Sequence, residues 1–177
     1  MREEDAIMDS ESARMSSAAE ARFRIDYPNS KPRVVKVVAL DAASERVVKR
    51  VAQQGWQRAT FFTSIKFEGA ARSGESWSMQ AWLSDLAGRT KALVEEVAAA
   101  DLVVMVSSAG TSAQAAAVIG EACAARKVMT MALIIGSEQR SNEELSKTLA
   151  ALRPYASMLV IASGDEYIEE MLAALKA

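Results

Sequence analysis

The chain has 177 residues, half of them apolar and a quarter charged, which is enough for one domain with a sizeable core. Its 21 basic and 23 acidic side chains are well mixed and leave a net charge of −2, so a broad phosphate-backbone footprint is not favoured and no nucleic-acid partner is expected. There is no histidine and one cysteine, Cys123, which excludes Ser-His-Asp and Cys-His nucleophiles, His-ligated metal and an intramolecular disulfide. Any catalysis would have to come from carboxylates, Lys, Tyr, bound water or positioning.

Residues 1–32 are rich in Ser, Ala, Glu and Arg, with little sustained apolar periodicity, and they end in DYPNSKP. This predicts a flexible N-terminal arm, with Pro28 and Pro32 as local breakers. The start, MREEDAIMDSESARM, is charged from its second residue and has no apolar stretch of the kind a secretory signal needs. The longest apolar runs are strand-sized, so no membrane span is expected and a cytoplasmic location follows.

From residue 33 to 177 the pattern is regular and predicts a single domain. VVKVVAL (34–40) reads as a strand buried on both faces. Val47, Val48 and Val51 then form a helical stripe that Gly55 stops, and RATFFTSIKF (58–67) is the next strand. Residues 68–80 form a polar linker, and a helix is expected over 81–100 with Leu83, Leu86, Leu93, Val94 and Val97 on its apolar face. Strands at 101–106, 128–135 and 157–162 alternate with helices at about 112–126, 141–153 and 164–176. Such alternation predicts a doubly wound α/β fold, with a mostly parallel sheet covered by helices on both faces.

In such a sheet, ligands bind beyond the carboxyl ends of the strands, where strand order reverses. The candidate loops are LDAASER (40–46), SSAGTSAQ (107–114), GSEQRSN (136–142) and SGDE (163–166). In the second, Ser107, Ser108, Thr111 and Ser112 offer hydroxyls, while Ala109 and Gly110 let backbone approach a ligand ahead of a helix N-terminus. A plain helix cap with tight packing explains the same residues. Asp41 reads as the N-cap of the next helix or, less simply, as an Mg²⁺ ligand, and Asp165 is a secondary candidate. Neither a Rossmann glycine fingerprint nor a Walker loop is present. Cys123, among alanines, reads as a packed thiol, and Trp77 and Trp82 as packing residues.

The run from Asp101 to Ile135 resembles the tubulin family, in particular its FtsZ branch. There a strand leads into a GGGTGTG loop, then AAPVVAE on a helix, then an ILTVAVV-type strand. Here AAAVIGE (115–121) and VMTMALII (128–135) take the last two places, and ALRPYASMLVIASGDEYIEEML is similar to the segment entering the family's central helix. Aligned through the alanine helix, the glycine signature becomes SAGTSAQ (108–114), in which Gly110 and Thr111 keep their identities. The family's first glycine-rich phosphate loop is replaced by DAASER, and the chain stops near the central helix, without the second domain. The resemblance implies an FtsZ-like nucleotide-binding domain that has lost the polymerising GTPase machinery. The expected role is a non-enzymatic binding, regulatory or scaffolding protein, with a protein partner or as a homo-oligomer, and with a residual GTP, GDP or small-anion site at 107–112. The alternative is a nucleotide-dependent enzyme using the same crevice, with Asp41 or Asp165 placing a metal or water.

Overall fold

In the computed structural model the described residues are 31–64, 82–85, 90–162, 164 and 166–177, and Pro32–Ala177 forms one unit. The N-terminal arm, the 68–80 linker with Trp77, and Asp165 lie outside the described residues.

The first apolar run becomes β1 (Val35–Ala39), buried along its whole length. It lies between β2 (Ala59–Thr63) and β5 (Leu102–Ser108), parallel to both. β6 (Met129–Ile135) and β7 (Met158–Ile161) continue the parallel pairing outward from β5. On the far side, β3 (Trp82–Asp85) pairs antiparallel with β2, and β4 (Thr90–Ala92) antiparallel with β3. The full order is β4-β3-β2-β1-β5-β6-β7. The fold is therefore doubly wound and Rossmann-like, and its five parallel strands follow the order known from flavodoxin-like sheets.

Side chains alternate between two cores because successive strand residues point to opposite faces. Val35, Val37, Val104, Val106, Leu133 and Ile135 pack beneath α1 (Ala42–Ala52) and α5 (Glu166–Ala174), which contribute Val47, Val48, Val51, Ile168 and Leu172. Val38, Val103, Met105 and Ile134 face the other way, toward α2 (Leu93–Ala98), α3 (Ala115–Arg126) and α4 (Asn142–Leu152). The alanines of α3 allow close approach to its neighbours. A Cβ placed on Gly120 would land inside the Tyr155 side chain, 3.0 Å from Cγ and nearer still to Cβ.

The helix expected over 81–100 is a correction. Among the described residues of that span only Leu93–Ala98 is helical, and Trp82–Asp85 and Thr90–Ala92 are strands. Pairing with the exposed edge of β2 outweighed a five-residue apolar stripe, and Gly88, a poor helix former between the two strands, was the local sign of it. The expected helix over 112–126 begins at Ala115, and the strand expected over 101–106 runs on to Ser108. Both differences matter for the site.

Among the described side chains one buried charge lies on a strand of the sheet. Lys36, in the middle of β1, is 8% exposed, and its Nζ donates to Glu96 Oε2 at 2.9 Å and to Thr60 Oγ1 at 3.3 Å. Glu96 comes from α2, so the ion pair pins that short helix to the sheet. Removing one partner of a buried pair strands the other. Glu96→Ala should cost about 2–4 kcal/mol, below the full penalty for a buried pair because Glu96 has some access to water. Lys36→Met, which leaves an apolar chain of similar volume, should cost less. Urea denaturation of both variants checks the order.

Candidate functional site

The strand order reverses at β1: the chain passes from β1 to β2 on one side and later to β5 on the other. The crevice therefore opens between the carboxyl ends of β1 and β5, where Asp41 follows one strand and Ser107 and Ser108 end the other.

Asp41 caps α1. Its Oδ1 accepts from the amides of Ala43 (3.1 Å) and Ser44 (2.9 Å), while the Ser44 hydroxyl sits 3.1 Å from the Asp41 amide and closes a capping box. The same carboxylate reaches across to β5. Oδ2 accepts from the Ser108 amide at 2.7 Å, and Oδ1 accepts from the Ser108 hydroxyl at 2.8 Å. The hydroxyls of Ser107 and Thr111 lie 3.3 and 3.5 Å from Oδ2 and 2.7 Å from each other. Asp41 is only 9% exposed, so this ring of donors stands in for its lost hydration.

Four of the amides that were to greet an anion, those of residues 108–111, are committed elsewhere. Ser108 donates to Asp41, and Ala109 donates to the Ile135 carbonyl at 3.0 Å. Gly110 donates to Thr148 Oγ1 at 2.9 Å, and Thr111 to the Ser108 carbonyl at 3.3 Å. Thr148, fully buried on α4, in turn donates its hydroxyl to the Thr111 carbonyl at 3.0 Å. Ser107 and Ser108 are held in the β5–β6 ladder opposite Ile134 and Ile135, so they belong to a strand rather than to a loop. Ser112 is exposed, and α3 begins three residues beyond it with no side-chain cap.

Gly110 has φ +91°, a conformation L side chains rarely adopt, and a Cβ there would lie 3.4 Å from Glu144 Oε1. Its smallness thus serves packing against α4. Glu144 completes the capping box of α4 with Ser141, and the Ser141 amide holds its carboxyl below the usual range, with Arg140 assisting.

Asp41 therefore stands as the expected N-cap, and its oxygens are filled by amides and hydroxyls. Among the described residues no three His, Cys, Asp or Glu side chains converge as a metal site would need. Thr148 and Glu144 were missed by sequence reasoning, since a threonine and a glutamate on a helix carry no signal of a distant loop. Cys123 is buried as expected, and burial pushes its thiol up to about 11.

Asp41→Ala should cost about 3–5 kcal/mol in urea denaturation, combining a lost cap with the orphaned Ser108 amide, and Thr148→Val about 1–3 kcal/mol. Cys123 should resist thiol reagents at pH 8 until the protein unfolds. Its raised pKa also adds stability that is complete below the unfolded value and is lost as pH rises from about 9 towards 11, so the urea midpoint should fall over that window.

No family model matches this chain, and no curated protein matches it with significance.

Proposed function

We propose that the chain is a non-enzymatic, FtsZ-like binding, regulatory or scaffolding protein, acting on a protein partner or as a homo-oligomer, and without FtsZ-type GTPase activity. One observation carries this reading. The Asp41 carboxylate sits on the donors of Ser107, Ser108 and Thr111, the place a nucleotide phosphate would need. A phosphate arriving about 4 Å from that carboxylate meets repulsion of about 4 kcal/mol per charge pair at an effective dielectric constant of about 20, roughly a thousandfold in affinity. On this reading the chain's own anion occupies the switch-point crevice. The enzyme reading, with Asp41 or Asp165 placing a metal or water, would require Asp41 to leave the Ser108 amide.

Calorimetric titration of GTP, GDP and inorganic phosphate with Mg²⁺ should show binding weaker than about 1 mM. Hydrolysis should stay at background as protein concentration rises. Turnover that climbs with protein concentration and disappears in Thr111→Ala would sink this reading and establish the enzyme. Saturable GTP binding without turnover, weakened by about 1 kcal/mol in Ser108→Ala, would instead restore a nucleotide site. Ser108→Ala is the sharper probe, because Gly110→Val also disturbs α4.

A further inference from the structure

Among the described residues the sheet ends on β7, a strand of four residues whose own sequence carries neither of two devices that keep edge strands from pairing, charge and proline. Residues 156–162 read ASMLVIA, with no charge and no proline. Among the described residues the exposed large hydrophobics are Met129, Met158, Ile161 and Tyr167. Two are on β7 itself, one starts the adjacent β6, and one lies on α5 just after β7. In a parallel ladder alternate residues bond to the neighbour. The Ala162 amide bonds to the Ile134 carbonyl, so Leu159 and Ile161 turn their N–H and C=O groups away from β6.

From these features we propose that two copies of this chain pair through β7, antiparallel about a two-fold axis at Val160. Leu159 of each copy then faces Ile161 of the other, and these two pairs exchange four main-chain hydrogen bonds. Val160 meets Val160, and the exposed Met158 and Ile161 side chains are covered. Charge favours an identical antiparallel strand over other occupants. The end where β7 begins carries exposed Arg126, Lys127 and Arg153 against Glu121, and the end where it stops carries Glu138 and Glu166, with Arg140 paired to Glu144. A two-fold axis sets each basic end beside the acidic end of the other copy, and a self-complementary patch is what an isologous dimer requires. This surface is distinct from the 107–112 crevice, so the proposal stands whether or not a nucleotide binds there.

Sedimentation equilibrium of the full chain should show a monomer–dimer equilibrium. Ile161→Lys should raise the dissociation constant at least about tenfold while leaving unchanged the circular dichroism spectrum and the melting temperature measured at concentrations where both proteins are monomeric. Arg153→Glu should weaken the dimer. In the pairing drawn, the two Val160 Cα atoms are about 4.5 Å apart, within disulfide reach. Val160→Cys should therefore oxidise to a covalent dimer, whereas Leu159→Cys should not, and buried Cys123 gives no background. A wild-type chain that stays monomeric at every concentration overturns the proposal and leaves this edge to a strand from another protein. A dimer indifferent to Ile161→Lys, with no cross-link at Val160→Cys, overturns it as well.

Discussion

The Asp41 carboxylate holds the centre of this molecule together. A buried anion is tolerated only when donors replace its water, and here they come from two places far apart in sequence. The first turn of α1 supplies two amides and the favourable end of its dipole. The end of β5 supplies an amide and a hydroxyl from Ser108, with Ser107 and Thr111 beside it. One carboxylate thus ties the turn after β1 to the turn after β5, across the line where the sheet changes direction. Thr148 extends the connection by holding both Gly110 and Thr111 from α4.

That arrangement fills the donors that line the crevice at residues 108–111. Sheets of this kind bind ligands at the switch point by leaving backbone donors and glycines open to them. Here the donors at residues 108–111 are spent on protein acceptors, and the glycine is used to fit a helix. Electrostatic complementarity that could have served a phosphate serves the fold instead. At β7, by contrast, Leu159 and Ile161 turn their backbone groups away from β6, and among the described residues the Met158 and Ile161 side chains are exposed. The contrast between a saturated crevice and an open edge is what directs the functional reading toward contacts between chains.

The sheet carries a second buried charge, Lys36, and it is handled differently. Its partner Glu96 comes from a helix of only six residues, too short to persist by propensity alone. The pair and the burial of Leu93 and Val97 hold that helix in place. Lys36 therefore orders α2 much as Asp41 orders the loop after β5.

Much was legible in the chain itself. β-branched runs at strand length, alternating with apolar stripes of helical period, were enough for the doubly wound fold, because those signals are local and repeated. Asp41 as a helix cap was also legible, since a cap and the amides it binds lie within three residues. The hairpin of β3 and β4 was not, because its stability comes from pairing with β2, and a short apolar stripe suits either period. Nor could the sequence show that Asp41 and Ser108, 67 positions apart, would meet. Hydroxyls and a glycine ahead of a helix are equally good at holding a phosphate or a carboxylate. Only the packing of β1 beside β5 decided which, by bringing the chain's own anion there first.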